Sequence, residues 1–400
     1  MAIDSIPFAP SDDYALPDKT FYPLDIPVSH WQLRHYISHS DPDVLYYASG
    51  TEVYYLNVST RKRKHIATLP FEARCTASGH GYVCIGGEYK GHFAVIKLEE
   101  GRRIDVDVAV PLDHWRSVHG TPRAVDIKVE RIGGSIVNSI SIHKIQDQDA
   151  HLYDVVAVLT NNDSTVRIYS LSHGREVSVL DLPDAMNHAT ISPDGKTLAA
   201  VGDVNTVFFF TRSLPDWELT GRYTLYIPSP HTQRGYFTTA WSPSGHLLAV
   251  GSEAGYITVF DMHDFIQAVE EAGGDIETIR LATIPSSRPN IQAHTCPGAV
   301  RSMLFSPDPW DLLIWAEDQG RICIGDLRNA LKSKPGVNAA TRRPPVSAAF
   351  PPTGHEIGVR TAGLAVSRDG RTVWAATEQG VFEIALNVKS RSRWPAVDLR

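Results

Sequence analysis

The chain has 400 residues, and its 38 basic and 45 acidic side chains give a formal net charge of −7. This balance argues against a general binder of nucleic acids or of anionic membranes. Four scattered cysteines (Cys75, Cys84, Cys296 and Cys323) exclude a disulfide framework, and they contain no C-x-x-C pair typical of zinc sites.

The first residues lack the basic and apolar regions of a secretory signal, and no stretch has the apolar length of a membrane span. We therefore expect an intracellular protein, in the cytoplasm, the nucleus or both. Residues 1–30 are rich in Pro, Asp and Ser and are predicted to form an N-terminal arm, in which residues 21–24 can add an edge strand.

From residue 31 to residue 400 we predict one domain made of a repeated unit, strand–turn–strand–turn–strand. The unit is clearest in 187–210, where Ala189 and Ile191 alternate with polar neighbours before the turn 192–195. Such a unit buries its two apolar faces only if similar units stack on it. Seven copies are predicted, with cores at 44–58, 74–98, 135–171, 187–210, 236–262, 299–327 and 363–386.

Four first turns begin with a serine, at Ser192, Ser242, Ser306 and Ser367. Their spacings of 50, 64 and 61 residues exceed the roughly 40 to 45 residues of a minimal propeller repeat. Insertions are therefore predicted at about 101–134, 263–298 and 329–361. Within the second, residues 264–272 are typical of a short helix whose apolar stripe packs on the propeller or binds a partner.

An S-P-D-G turn, an apolar strand, an acidic turn and a strand ending in an aromatic-Asp pair such as Phe260-Asp261 resemble the WD40 repeat. Other blades depart from it: one ends Ile324-Gly325-Asp326, and the opening Gly-His pair survives best as Ala293-His294. The resemblance implies an all-β, seven-bladed propeller in which the buried His-Asp-Ser-Trp network is mostly absent. The whole chain also resembles divergent fungal WD40-like proteins of unknown function.

Closure of the propeller needs a fourth strand for blade seven, which stops near Asn387. Such rings avoid an exposed sheet edge by pairing the two chain termini. Either the N-terminal segment or residues 394–399 can supply this strand.

Nothing in the sequence predicts an enzyme, a metal or a cofactor. His188, Ser192 and Asp194 lie close in sequence, but the serine and the aspartate belong to a turn, so a catalytic triad is not expected. The 17 histidines show no metal-ligand spacing. The basic run 61–64 is either a nuclear-import or phosphate-contacting patch or an exposed hairpin tip.

The second turn of each predicted blade contains an acidic residue. Two interpretations stay open: the acids attract a basic segment of a partner protein to the mouth of the channel, or they cap their own turns through side-chain hydrogen bonds. The predicted set is Glu52, Glu88, Asp163, Asp203, Glu253, Glu317, Asp318 and Glu378.

Residues 313–328 resemble the box by which some WD40 proteins dock onto the adaptor of a cullin-type ubiquitin ligase. The resemblance implies docking through Asp326, Leu327 and Arg328, although such a strand ending is also ordinary for a blade. The sequence thus predicts a non-enzymatic scaffold that presents propeller loops to partner proteins, with a ligase substrate receptor as the alternative. The oligomeric state is left open.

Overall fold

The described part of the chain consists almost entirely of β-strands. The computed structural model describes residues 14–28, 35–99, 122–146, 152–214, 216–225, 235–272, 279–289, 297–308, 312–325, 327, 353–356 and 360–387.

Within these residues, twenty-eight strands and one helix follow one another. The first thirteen strands are β1 (Ala15–Pro23), β2 (Ile37–His39), β3 (Val44–Ser49), β4 (Glu52–Asn57), β5 (Lys62–Thr68), β6 (Ala73–Gly79), β7 (Tyr82–Gly87), β8 (His92–Leu98), β9 (Ala124–Arg131), β10 (Val137–Gln146), β11 (Tyr153–Asn161), β12 (Thr165–Ser170) and β13 (Arg175–Asp181). They are followed by β14 (Met186–Ile191), β15 (Thr197–Gly202), β16 (Thr206–Ser213), β17 (Asp216–Thr224), β18 (Tyr236–Trp241), β19 (Leu247–Ser252), β20 (Tyr256–Asp261), α1 (Phe265–Ala272), β21 (Arg280–Pro285), β22 (Val300–Phe305), β23 (Leu313–Glu317), β24 (Arg321–Gly325), β25 (Thr353–Glu356), β26 (Thr361–Val366), β27 (Thr372–Thr377) and β28 (Gly380–Leu386).

These strands form seven four-stranded antiparallel sheets, which confirms the predicted seven-bladed propeller. Blades one to six are β2–β5, β6–β9, β10–β13, β14–β17, β18–β21 and β22–β25, each in sequence order. Blade seven combines β26, β27 and β28 with β1. The first strands of consecutive blades contact one another, and β26 contacts β2, so the ring is closed.

Strand β1 completes blade seven by pairing antiparallel with β28, with Tyr22 opposite Val381. The Tyr22 hydroxyl donates a hydrogen bond to Glu383 at 2.6 Å. Just after β1, Leu24 and Ile26 are buried against blades seven and one. The N-terminal strand therefore covers a sheet edge that would otherwise be open to other strands.

Alternation along each strand places side chains in the layers on both sides of a blade. In β15, Leu198 and Ala200 pack into the layer between blades three and four, whereas Ala199 and Val201 pack into the layer between blades four and five. This pattern explains why a single unit leaves two apolar faces and requires neighbours on both sides.

The four serine turns have one hydrogen-bonding pattern. Each serine Oγ accepts the backbone N–H at the start of the second strand, as in Thr197 N to Ser192 Oγ at 3.0 Å and Leu312 N to Ser306 Oγ at 2.8 Å. In blade four the turn closes at Gly195, whose φ of 75° suits a residue without a Cβ.

The predicted short helix is confirmed as α1. Phe265 and Val269 are buried, and the Phe265 ring lies 5.0 Å from that of Phe209 in blade four. Ile266, which the sequence placed on the same apolar stripe, is 47% exposed. The stripe therefore packs on the propeller through two of its three residues.

The segments predicted as insertions also contribute strands, since β9, β21 and β25 are the fourth strands of blades two, five and six.

Candidate functional site

The seven second turns lie at one end of the propeller. Each joins the second and third strands of its blade, and all blades share one strand order. Neighbouring first strands run in the same direction, as the parallel bridge between His35 and Cys75 shows. We call the end with these turns the second-turn face and the opposite end, with the serine turns, the first-turn face.

The first strand of six blades has a β-bulge close to the second-turn face. In each case the pairing register with the second strand shifts by one residue. A bulge re-aims the side chain of the extra residue. The extra residues are Arg74, Asn138, Asn187, Phe237, Arg301 and Ala362.

In blades two and six the bulge residue is a buried arginine that binds the acid of its own second turn. Arg301 donates from Nε to Asp318 at 3.0 Å, and its guanidinium also lies 4.5 Å from the centre of the Phe237 ring. Arg74 forms the corresponding salt bridge with Glu88. Only 8% of the Arg74 side chain and 6% of the Arg301 side chain are exposed, so these pairs are screened far less than surface salt bridges.

In blades three and four the bulge residue is an asparagine with an equivalent role. Asn187 donates from Nδ2 to Asp203 at 2.8 Å and to the Tyr236 carbonyl of the next blade at 3.1 Å. Asn138 donates to Asn162 at 2.5 Å. Burial raises the pKa of Asp203, and the bond from Asn187 opposes that rise. Four second turns are thus tied to the first strand of their own blade.

Two predicted acids use other partners. Glu52 accepts bonds from the Thr68 hydroxyl at 2.8 Å and contacts His65 Nε2 at 2.6 Å, and these bonds, led by that of Thr68, lower its pKa. The Glu378 carboxylate lies 4.0 Å from Arg360, and both side chains are almost half exposed. Both carboxylates are partly exposed at the surface.

The acids of blades three and five complete the set. Asp163 accepts hydrogen bonds from Thr165 at 2.6 Å and from the Gly134 amide at 2.7 Å. In blade five, the Glu253 amide donates to the Gly235 carbonyl at 3.1 Å, which fixes the turn to the incoming chain. Four of the eight predicted acids, Glu88, Asp163, Asp203 and Asp318, therefore use their carboxylates to bind groups next to their own turns. Attraction of a basic partner remains a prediction.

Glu317 differs from the other predicted acids because it ends strand β23 and is fully buried. Its carboxylate accepts hydrogen bonds from the Ser287 amide at 2.7 Å and the Ser287 hydroxyl at 2.6 Å. Trp315 Nε1 and the Cys323 thiol donate to it at 3.3 Å each. Burial, followed by the neighbouring carboxylate, raises the pKa of Cys323.

Two arginines complete this buried network in blade six. Arg288 Nε lies 3.4 Å from the Glu317 carboxylate, and Arg321 donates to the Ser287 hydroxyl at 2.8 Å. No sequence pattern pointed to Ser287 or Arg288, because the loop before blade six resembles no motif, nor to Arg321, which is an ordinary strand residue of β24. The resemblance to the WD40 repeat implied that the buried His-Asp-Ser-Trp network is mostly absent, and the network of blade six has a different composition, built on a glutamate.

The centre of the ring is lined by polar residues of the first strands. His188 accepts a hydrogen bond at Nδ1 from the Thr239 amide at 3.1 Å, and its ring stacks on that of His35. Ser192 instead donates to Asp194 within their turn at 2.5 Å. His188 therefore pairs with blade five, and the structure does not bring these three residues together as a triad.

The described residues contain no group of three or more His, Cys, Asp or Glu side chains arranged to hold a metal ion. Among the same residues, no helix combines the length and the apolar character needed to cross a membrane.

The chain is similar to known proteins in both sequence and structure. An uncharacterized protein of Schizosaccharomyces pombe is 25% identical over 94% of both chains. The WD repeat-containing protein VIP3 of Arabidopsis thaliana is 28% identical over 40% of this chain and 46% of its own. The chain is a seven-bladed propeller that is similar in sequence to WD-repeat proteins. A chain of the Kuenenia stuttgartiensis hydrazine synthase structure superposes with a TM-score of 0.62 at 15% identity, over 92% of this chain and 98% of that one, which shows the fold alone.

One blade of the propeller also matches a family model. The model is described as an uncharacterised protein domain, DUF2415, and it matches residues 298–334. The match covers strands β22 to β24, including Glu317, Trp315 and Cys323 of the buried network.

The predicted adaptor-docking residues lie at the end of this match. Leu327 is 3% exposed and packs in the layer between blades five and six. Asp326 and Arg328 lie outside the described residues. Taken together, the closed propeller and the WD-repeat relative indicate a protein-interaction scaffold.

Proposed function

We propose that this WD40 propeller is a non-enzymatic scaffold that presents the loops of its second-turn face to partner proteins. The observation that carries the proposal is the set of bulge-to-turn bonds, such as Arg74 to Glu88 and Asn187 to Asp203. Buried polar bonds of this kind fix turns that a purely apolar core would leave less constrained.

Rigid turns favour binding because a preorganised surface loses little conformational entropy when a partner docks. Four blades carry such an anchor, and their turns project from one end of a closed ring. A partner thus meets polar loops at fixed spacing. The proposal includes a basic partner segment, since Glu52 and Glu378 keep partly exposed carboxylates at this face.

The test uses charge reversal at the second-turn face. The tagged variant Glu52→Lys/Glu378→Lys and the wild type would each capture partners from a fungal lysate for mass spectrometry. A labelled lysine-rich peptide would be titrated against both proteins at low and high salt. We expect the variant to lose the stoichiometric partners and the salt-dependent peptide binding.

The matched control is Glu218→Lys/Glu270→Lys, which reverses two exposed acids away from the second-turn face. It should retain the partners and the peptide binding. Equal loss in both variants would show that net charge, and not this face, governs binding. Retention of every partner by Glu52→Lys/Glu378→Lys would contradict the proposal of a basic partner segment. Circular dichroism would confirm that each variant is folded.

A ligase substrate receptor is the alternative function, supported by the box that ends in Asp326, Leu327 and Arg328. Because Leu327 is buried in the core, docking would depend on the charged pair. Arg328→Ala should abolish co-purification of the cullin adaptor, while Arg371→Ala on the first-turn face should not. Equal adaptor recovery from both variants would exclude this alternative.

The cytoplasm, the nucleus or both are the proposed location. Three cysteines, Cys75, Cys84 and Cys323, are free and buried, which suits a reducing compartment. A fluorescent fusion in a fungal cell would test this, and accumulation in the secretory pathway would contradict it.

A further inference from the structure

The outermost strand of blade two, β9, exposes three aliphatic side chains. Val125 is 61% exposed, and Ile127 and Val129 are each 43% exposed. Strand β9 is last in its sheet, so its outer edge has no strand partner among the described residues. One side of β9 is aliphatic, whereas Asp126, Lys128 and Glu130 alternate with these residues and project from the other side. An edge strand of this length is a ready template for pairing with another chain.

The direction of these side chains follows from their pairing partners. Ile127 lies opposite Ile96, and Val129 lies opposite Ala94. Ile96 and Ala94 belong to the core layer between blades one and two. Because directly paired residues project from the same side of a sheet, Ile127 and Val129 face blade one.

The facing wall belongs to β5, the outermost strand of blade one. Lys64 lies opposite Tyr55, which is buried in the same core layer, and Lys62 lies opposite Asn57, two residues along the same side. Both lysines therefore face blade two. Both are exposed, and neither has a salt-bridge partner among the described residues. Strands β5 and β9 contact each other, so the two walls are neighbours.

We call the space between these strands the rim cleft, defined by Lys62, Lys64, Ile127 and Val129. We propose that the rim cleft binds an extended segment of a partner protein that is rich in aliphatic and acidic residues. The segment adds as a fifth strand to the open edge of β9, with main-chain hydrogen bonds providing affinity. Its aliphatic side chains cover Ile127 and Val129, and its carboxylates pair with Lys62 and Lys64.

Charge is what selects this partner over other apolar segments. The wall opposite the aliphatic stripe carries positive charge that has no partner within the described residues, so a carboxylate gains attraction while a basic segment is repelled. The site is distinct from the second-turn face, because it runs along the outer rim. It also gives the basic run 61–64 a specific role, since two of its residues form the lysine wall.

The experiment measures fluorescence anisotropy with three labelled ten-residue peptides. All three peptides have serine at every second position, so the remaining positions project from one face of a strand. In those remaining positions the first peptide alternates valine with aspartate, the second valine with lysine, and the third serine with aspartate. We expect the full-length protein to bind the first at least about tenfold more tightly than the other two, because only the first satisfies both walls. Equal binding of the first and third peptides would overturn the proposal, since the lysines alone would then suffice.

Two independent variants locate the binding. Ile127→Asn/Val129→Asn and Lys62→Glu/Lys64→Glu should each weaken the valine–aspartate peptide by about tenfold. The matched control is Val177→Asn/Val179→Asn on β13, the outermost strand of blade three, where these valines are 42% and 40% exposed. It should bind like the wild type. Equal weakening by the control, or no weakening by either variant, would place the peptide elsewhere.

Other occupants give different results and would overturn the proposal. A second copy of the chain would show as a dimer in sedimentation that Ile127→Asn/Val129→Asn abolishes. The chain's own segment 104–110, of sequence IDVDVAV, has similar chemistry. Peptide binding that is seen only after replacement of 104–110 by a Gly-Ser linker would assign the rim cleft to that segment.

Discussion

His35 of blade one and His188 of blade four stack on each other, with ring centroids 4.9 Å apart. Blades one and four are not neighbours in the ring, so this contact spans its centre. The Thr239 amide donates to Nδ1 of His188, which requires that nitrogen to be unprotonated. Burial, followed by the nearby His35 and His143, lowers the pKa of His188.

We expect the free energy of unfolding to fall as the pH is lowered below the pKa that histidine has in the unfolded chain. Burial lowers the pKa of His143 to about 4, and it also lowers the pKa of His188. Histidines of an unfolded chain have a pKa of about 6.5. Below that value the unfolded state binds more protons than the folded state. Each histidine therefore costs up to about 1.4 kcal/mol per pH unit until its folded pKa is reached.

Urea unfolding between pH 7.5 and pH 5 measures this loss. The stabilising contribution of the two neutral histidines should be complete above the pKa of histidine in the unfolded chain. His188→Gln should flatten the dependence, and the exposed His263→Gln should leave it as in the wild type. If the free energy of unfolding of His188→Gln depends on pH as steeply as that of the wild type, His188 does not govern the pH response.

The buried carboxylate of Glu317 makes a second prediction. Glu317→Ala removes the acceptor of the Ser287 amide and of Trp315 Nε1 and leaves Arg288 without its buried counter-charge. Removal of one partner from a buried charged network costs about 3–5 kcal/mol. Urea unfolding should show this loss, while Glu378→Ala at the surface should stay within about 0.5 kcal/mol. Equal effects of the two variants would contradict the network's importance.

The sequence was sufficient to predict the propeller because the repeated pattern is local. Strands, serine turns and the helix α1 each follow from residues within one unit. It left two candidates for the closing strand, since pairing of β1 with β28 joins residues more than 350 positions apart in sequence. The same limit hid the role of the acids. Glu317 and Glu88 occupy similar places in the sequence of their blades, and only the placement of Ser287 and Arg74 separates a fully buried network from a partly buried salt bridge.

The serine turns predict a graded effect of one substitution. Ser306 is fully buried and accepts the amide of Leu312, which is itself buried. Ser306→Ala leaves that N–H without an acceptor and should cost about 1–3 kcal/mol. Ser367 makes the same bond to Thr372 in a more exposed turn, so Ser367→Ala should cost less, about 0.5–1 kcal/mol. Urea midpoints of the two variants test the order, and the reverse order would show that burial does not set the cost.

Removal of the N-terminal strand tests how the ring is closed. A variant lacking residues 1–23 loses β1, exposes the edge of β28 and deprives Glu383 of the Tyr22 hydroxyl. We expect it to form oligomers in size-exclusion chromatography, because an unpaired edge recruits strands from other copies. A variant lacking only residues 1–13 keeps β1 and should elute like the full chain. A synthetic peptide of residues 14–28 should restore the monomer of the shorter variant. A stable monomer without residues 1–23 and without peptide would show that β1 is dispensable for closure.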